Sequence, residues 1–138
     1  MIAPVHAKTH AEFLNTVFGT DYKQWMKTVW PYHSNTDFTV WMVRFYGEKG
    51  GWKNRVLENG NVIREEYFAN DLHALPLLAR NVMGRRRIVV SIEDRFLSRT
   101  YTVLGVYDLV EAESTNLNRI YRRLPDKIAK RIAPEIYN

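Results

Sequence analysis

The sequence predicts an α+β fold, in which N-terminal helices pack on a curved, mostly antiparallel sheet of about six strands that forms a partial barrel, followed by a C-terminal helix. Three observations predict it. Apolar residues recur at helical spacing near the N-terminus, their period then changes to two, and Asn59-Gly60 marks a tight hairpin turn. At 138 residues the chain has room for one domain, spanning residues 1–138.

Two short helices are predicted at the N-terminus, over residues 9–18 and 20–29. Thr9 begins a capping-box pattern, and Gly19 interrupts the apolar spacing between the two segments. Pro31 ends the second segment because proline disfavours helix in the residue before it.

The strands are predicted from segments in which side chains alternate between two faces with a period of two. The first three are expected to form an antiparallel meander joined by a type I′ turn, in which Asn59 and Gly60 both have positive φ. Gly105, inside the longest strand, indicates a bulge or a close backbone approach. Asp126 is expected to cap the terminal helix. The predicted strands cover residues 39–46, 52–57, 61–68, 86–93, 100–110 and 119–124.

Composition narrows the function classes. The chain has no cysteine, which excludes thiol catalysis, cysteine-based zinc sites and iron–sulfur ligation. The N-terminus lacks the pattern of a targeting peptide, and no apolar run is long enough to cross a membrane. We therefore expect a cytoplasmic protein with no membrane partner.

The net charge of +5 is unevenly distributed. Residues 1–79 carry 8 basic and 8 acidic residues, whereas residues 80–138 carry 12 basic and 7 acidic residues, so the whole excess lies in the second half. Most of these basic residues are arginines, whose planar guanidinium groups bind phosphate in a bidentate manner and stack on bases. This asymmetry favours a polyanionic partner over a solvated basic face.

Motifs for catalysis are missing. The sequence contains no nucleophile elbow and no phosphate-binding loop, and His6 and His10 have the spacing of metal ligands but no third ligand nearby. Glu65 and Glu66 are adjacent in a predicted strand and point to opposite faces, so they cannot share a metal. We predict no metal site and no cofactor, and expect a non-catalytic protein.

Aromatic residues are the remaining signal, with 4 Trp, 8 Tyr and 6 Phe in the chain. In a domain with one core most of them must be buried. Tyr46 and Trp52 flank a glycine-rich loop, where an aromatic ring can provide a stacking platform for a base. We interpret these two, together with Tyr107, as candidates for stacking.

The strand 101–110 is followed after a polar gap by the basic strand 119–124, and both combine with Trp52-Lys53-Asn54 and residues 63–66. Over residues 38–124 this pattern resembles the small β-barrel modules of bacterial restriction and mobile-element proteins. More distantly, it resembles the PUA-like barrels, which include modified-base readers of the SRA type. The resemblance implies that nucleic acid binds across one mouth of the barrel and that a base can be extruded into an aromatic pocket.

The first hypothesis is a nucleic-acid-binding module for DNA or RNA, a modified-base or structure reader linked to phage defence and restriction. In the second, the basic face binds an acidic protein and the chain regulates or inhibits a host nucleic-acid enzyme. The third is a metal-dependent nuclease that uses Asp94, Asp108, Glu111 or Glu113. Under the first hypothesis, the predicted phosphate-binding residues are Arg85, Arg86, Arg87, Arg119, Arg122 and Arg123.

Overall fold

The computed structural model describes residues 1–23, 29–45, 48–49, 51–68, 85–115 and 117–137. Two α-helices lie near the two ends of this part of the chain, α1 (His10–Phe18) and α2 (Asp126–Ile132), and three 3-10 turns cover Glu58–Gly60, Glu111–Glu113 and Pro134–Tyr137. The strands are β1 (Val5–Ala7), β2 (Val29–Pro31), β3 (Thr39–Val43), β4 (Glu48–Lys49), β5 (Trp52–Leu57), β6 (Val62–Tyr67), β7 (Arg86–Arg95), β8 (Ser98–Leu109) and β9 (Asn118–Arg123).

The nine described strands form a single sheet in the order β2-β3-β7-β8-β9-β6-β5-β4, with β1 paired to β8. All pairings are antiparallel except that of β3 with β7. In the described part of the chain the two ends of this order, β2 and β4, are not paired with each other, so the sheet is open. The α+β class and the mostly antiparallel sheet are confirmed, and the number of strands is larger than predicted.

The first predicted helix is confirmed in detail. Thr9 is its N-cap, and the Thr9 hydroxyl accepts a hydrogen bond from the Glu12 backbone N–H at 3.1 Å. The helix ends at Gly19, whose φ of 66° is the left-handed conformation typical of a C-cap.

The prediction of a second N-terminal helix is wrong where the structure can test it. Residues 20–23 are not helical, residues 24–28 lie outside the described part, and Val29–Pro31 form the strand β2. Trp30 packs against Tyr22 with ring centroids 4.7 Å apart, so the apolar spacing serves a tertiary contact. Pro31 is tolerated because β2 lies at the end of the sheet order, where fewer backbone N–H groups are needed.

The predicted hairpin at Asn59-Gly60 is confirmed. Asn59 has φ 56° and ψ 36°, Gly60 has φ 92°, and the Asn61 N–H donates to the Glu58 carbonyl at 3.1 Å, as in a type I′ turn. This turn joins β5 and β6, but β3 does not continue the meander. β3 lies between β2 and β7 and runs parallel to β7. Its residues are buried on both faces, as is typical of a central strand.

The bulge at Gly105 is also confirmed. Val89 pairs with Gly105, whereas the next residue, Val90, pairs with Val103, so Leu104 is an extra residue in β8. The bulge reverses the alternation, with the result that Tyr107 lies on the opposite face from Tyr101. The strict alternation predicted along this strand therefore ends at Leu104.

Two hydrophobic clusters lie on the two faces of the sheet. On the helix-covered face, Phe13 of α1 and Ala129 of α2 pack against the sheet residues Val40, Ile88 and Val103. On the opposite face, the cluster consists of Trp41, Val43, Ile63, Val89, Tyr107 and Tyr121, and no described helical residue belongs to it.

The N-cap of the terminal helix is one residue earlier than predicted. Its N-cap is Pro125, and Asp126 is the first helical residue without a capping hydrogen bond. The Asp126 carboxylate instead accepts a hydrogen bond from the Tyr137 hydroxyl at 3.1 Å and pairs with Arg123 at 3.5 Å. Among the described residues, neither helix is long and apolar enough to cross a membrane.

Candidate nucleic-acid interface

Three charged side chains meet on the opposite face of the sheet. Glu65 Oε1 lies 3.6 Å from Arg87 Nη1 and 3.6 Å from Arg119 Nη1. All three residues are buried, with exposed fractions of 7%, 1% and 5% in that order. We call these residues the buried ion cluster. Two guanidinium groups share one carboxylate, so the cluster carries an excess of positive charge.

Strand register explains why the cluster forms. Glu65 of β6 and Arg119 of β9 are directly opposite each other in the antiparallel pair, where side chains are close. Arg87 reaches them from β7 because it shares a face with Val89, a member of the apolar cluster on the same side. The ladder therefore brings together charges that are far apart in the sequence.

Aromatic rings enclose the two arginines. The Arg87 guanidinium carbon lies 4.3 Å from the ring centroid of Trp41 and 4.9 Å from that of Tyr121, within the range of cation–π attraction. The Arg119 guanidinium carbon lies 5.2 Å from the ring centroid of Trp52. Burial raises the pKa of Tyr121, while the nearby Arg87 partly opposes this rise. The rings provide flat apolar walls around a charged centre.

The cluster contains buried polar atoms without hydrogen-bond partners. Five such side-chain atoms occur in the described residues, and all of them lie on this face of the sheet. They are Thr39 Oγ1, Asn54 Oδ1, Glu65 Oε1, Arg87 Nε and Arg87 Nη1. Asn54 is opposite Glu65 in register, and Thr39 is opposite Arg87. Glu65 Oε1 and Arg87 Nη1 form an ion pair with each other at 3.6 Å, so Thr39 Oγ1, Asn54 Oδ1 and Arg87 Nε are the atoms of this group with neither a hydrogen bond nor an ion pair. Buried polar atoms normally have partners, which makes this face a candidate binding site.

Tyr107 does not offer a free ring to a ligand in this structure. Its side chain is fully buried, and its hydroxyl donates a hydrogen bond to the Gly60 carbonyl. Burial raises the pKa of Tyr107, and the nearby Arg123 opposes this rise. The residue shares one row of the sheet with Arg87 and Arg123, to which it is paired on either side.

The six predicted arginines fall into two groups. Arg87 and Arg119 are buried in the ion cluster, whereas the other four are solvent-accessible and are each paired with a carboxylate. The pairs are Arg85–Glu111 at 2.6 Å, Arg86–Asp108 at 3.8 Å, Arg122–Glu113 at 3.9 Å and Arg123–Asp126 at 3.5 Å. Phosphate contact by the second group requires exchange of these partners.

The two other predicted aromatic residues differ in what the structure shows. Trp52 is half-buried, with its ring centroid 5.1 Å from that of Tyr67, and it stands at the accessible edge of the ion cluster on β5. Tyr46 lies outside the described residues.

The carboxylates of the nuclease hypothesis do not converge. Asp94 lies near the far end of β7 and is held by Arg44, with Nε–Oδ2 and Nη2–Oδ1 distances of 2.6 and 3.0 Å. These hydrogen bonds lower the pKa of Asp94. Asp108, Glu111 and Glu113 pair with three different arginines. Within the described residues, no group of three His, Asp or Glu side chains is placed to hold a metal ion.

Sequence reasoning missed several members of this site. Glu65 was correctly placed on the face opposite to Glu66, which pairs with Arg64 at 2.9 Å. Glu65 lies two residues after the apolar Ile63, so both side chains point to the same side of β6. This spacing is a signal that the Glu65 carboxylate points into a buried face. Trp41 and Asn54 could be assigned to faces, but their approach to Arg87 and Glu65 depends on strand order, which the sequence does not display.

Comparisons with known proteins identify a family and a similar fold. The family model described as "SET and RING associated domain" matches residues 4–129. A solved structure titled as the 5-hydroxymethylcytosine-specific restriction enzyme AbaSI is similar in fold, with a TM-score of 0.65 and 20% sequence identity. The match covers 87% of this chain and 38% of the enzyme, so the chain spans well under half of the enzyme's length. A search of curated proteins found no match.

Proposed function

Because the chain belongs to the SET and RING associated domain family, whose members share the PUA-like fold of modified-base readers, we propose that it binds DNA and reads a modified base at the buried ion cluster. Family membership confirms the predicted resemblance to SRA-type readers. It also agrees with the prediction of a nucleic-acid-binding module related to restriction proteins. The observation that carries the proposal is the set of buried donors and acceptors without hydrogen bonds beside aromatic rings.

The chemistry of the cluster suits a nucleobase. The edge of a base presents hydrogen-bond donors and acceptors side by side, and its faces stack on aromatic rings. Arg87 Nε offers a donor and Asn54 Oδ1 an acceptor, whereas Arg87 Nη1 and Glu65 Oε1 would have to exchange their mutual ion pair for contacts with the base. Trp52 stands at the accessible edge, where its ring can stack on a base that has left the duplex. An extruded base would thus reach both kinds of contact.

A modified cytosine is the first base to test, since the similar restriction enzyme is specific for 5-hydroxymethylcytosine. In this proposal Arg85, Arg86, Arg122 and Arg123 leave their carboxylate partners to contact phosphates on either side of the base. Tyr46 remains a proposed stacking residue. A cytoplasmic location and further curvature of the sheet toward a barrel belong to the same proposal.

The test compares two duplexes that differ in a single base. Fluorescence anisotropy at about 50 mM salt, where the electrostatic contribution is large, measures binding of a duplex with one 5-hydroxymethylcytosine and of the same duplex with cytosine. We expect tighter binding of the modified duplex. Trp52→Ala should weaken that binding by about 1–3 kcal/mol, the value of one base–aromatic stack.

Phe96→Ala is the matched control, because Phe96 is 91% exposed and lies at the β7–β8 turn, far along the sheet from Arg87. This variant should bind like the wild type. Equal binding of modified and unmodified duplexes, repeated with 5-methylcytosine in place of 5-hydroxymethylcytosine, would exclude the reading of these bases. Undetectable binding of any DNA or RNA at this salt concentration would end the proposal altogether.

A further inference from the structure

Thr39, the first residue of β3, carries a buried hydroxyl group. The residue as a whole is half-buried, whereas its Oγ1 atom is buried and has no hydrogen-bond partner among the described residues. A buried hydroxyl without a partner lowers stability, and valine, which has a methyl group in place of the hydroxyl, would avoid this cost. Stability alone therefore does not explain a threonine at this position.

Strand pairing shows which side chains lie beside this hydroxyl. Thr39 pairs with Pro31 of β2 on one side and with Arg87 of β7 on the other, where neighbouring strands are about 4.8 Å apart. Thr39 lies two residues before Trp41, so both side chains point to the face that carries the buried ion cluster. The proline ring has no polar atom, so the polar neighbour of Thr39 across the sheet is Arg87.

Arg87 supplies a hydrogen-bond donor at the same place. Its Nη1 atom is paired with Glu65, whereas its Nε atom has neither a hydrogen bond nor an ion pair, although only 1% of the residue is exposed. Thr39 Oγ1 and Arg87 Nε do not satisfy each other. One acceptor and one donor therefore remain on the β3–β7 side of the cluster, whereas Asn54 Oδ1 lies on its β5 side.

We propose that Thr39 Oγ1 and Arg87 Nε bind a hydroxyl group carried by the extruded base, namely the hydroxyl at C5 of 5-hydroxymethylcytosine. The proposal rests on the proposed function, because it requires that a base enters the cluster. A hydroxyl group can donate to Thr39 Oγ1 and at the same time accept from Arg87 Nε. A methyl group or a hydrogen atom at C5 makes neither contact and leaves both buried atoms unsatisfied. The pair thereby selects a hydroxymethyl group over a methyl group.

Binding of three duplexes that differ in one base tests the proposal. They carry 5-hydroxymethylcytosine, 5-methylcytosine or cytosine at the same position, and fluorescence anisotropy measures their affinities for the wild type, Thr39→Val and Thr39→Ser. The wild type should prefer hydroxymethylcytosine over methylcytosine. Thr39→Val should lower this ratio about five- to tenfold, the effect of one lost hydrogen bond, without weakening the binding of methylcytosine. Thr39→Ser keeps the hydroxyl and should keep the ratio.

Thr102→Val is the matched control. Thr102 is also a half-buried strand threonine, but it pairs with Ser91, which is four residues and about 13 Å along β7 from Arg87. Its ratio of affinities should equal that of the wild type. Urea denaturation gives a second readout, in which Thr39→Val should be at least as stable as the wild type, because it removes an unsatisfied hydroxyl.

The outcomes separate the role of Thr39 from the proposed function. If the wild type prefers hydroxymethylcytosine but Thr39→Val keeps that preference, or weakens the binding of all three duplexes equally, the role of Thr39 is overturned and base reading at the cluster stands. Equal binding of hydroxymethylcytosine and methylcytosine by the wild type also overturns it, while a preference for both over cytosine retains the proposed function. Equal binding of all three duplexes rejects both.

Discussion

The two faces of the sheet use opposite chemistry to bury aromatic side chains. On the helix-covered face Phe13 stacks on Tyr101 with centroids 4.8 Å apart, and the surrounding residues are almost entirely apolar. On the opposite face Trp41 and Tyr121 pack against the Arg87 guanidinium, beside a carboxylate and unpartnered polar atoms. Burial on the first face is explained by stability alone. Burial of charge on the second is costly, so stability alone does not explain it, and this cost agrees with the proposed binding at this face.

The largest effect is expected on the helix-covered face. Phe13→Ala removes a fully buried ring and should lower the free energy of unfolding by about 4 kcal/mol. Urea denaturation measures this change. DNA binding by the fraction that remains folded should not change, because Phe13 lies on the other side of the sheet. A selective loss of base preference in this variant would contradict the separation of the two faces.

On the opposite face, Glu65→Gln leaves two buried guanidinium groups without their carboxylate. It should lower the free energy of unfolding by about 3 kcal/mol, at the low end for a broken buried ion pair since both distances are 3.6 Å. Adding Arg87→Met should restore part of the stability but none of the base preference. Recovery of both properties in the double variant would mean that the cluster is only structural.

A smaller loss of stability is expected from a substitution at the bulge in β8, where side chains change from one face of the sheet to the other. Gly105 has a φ of 139°, and a Cβ there would lie 3.2 Å from Arg123 Cδ, so Gly105→Ala should cost about 1–3 kcal/mol. Gly19→Ala is the control, because Gly19 also has a positive φ but has no atom within 4 Å of the added Cβ. Thermal denaturation of both variants should show the larger loss at Gly105. Equal losses would assign the effect to the backbone conformation alone.

The smallest effect concerns a polar contact at the edge of the helix-covered face. Burial and the hydrogen bond to Glu135 raise the pKa of Tyr32 to about 12. A pKa that is higher in the folded state gives stability that is present below about pH 10, the pKa of an unfolded tyrosine, and is lost as the pH rises to about 12. Tyr32→Phe should cost about 1 kcal/mol at neutral pH. Denaturation at a series of pH values should show this difference shrinking above pH 10, and a constant difference would contradict it.

The sequence predicted what depends on local patterning. The cap at Thr9, the turn at Asn59-Gly60 and the bulge at Gly105 each follow from a residue type with a specific conformational role, and all three were found. The position of β3 was not predicted, because its pairing with β7 joins segments more than 40 residues apart. Alternation assigns a residue to a face but does not reveal which strands are neighbours.

The same limit applies to the candidate site. The arginine-rich second half was a correct signal of where charge is concentrated, yet sequence could not separate Arg87 and Arg119, which are buried, from the four that pair at the surface. Glu65 comes from the electrically neutral first half and supplies the carboxylate that both buried arginines share. A charge count by halves cannot detect such a contact, because strand register brings the residues together.

Because β8 contains one extra residue, the number of residues in this strand determines which side chains face the candidate site. If Leu104 took a regular place in the ladder, so that the bulge was lost, every residue that follows it would exchange its side of the strand. Tyr107 would then turn toward the helices, and Asp108 would turn toward Arg87 and Glu65. An insertion or deletion in β8 that no bulge absorbs can therefore change the composition of the face that carries the buried ion cluster more than any one substitution, which gives natural variation and protein engineering a route to altered binding.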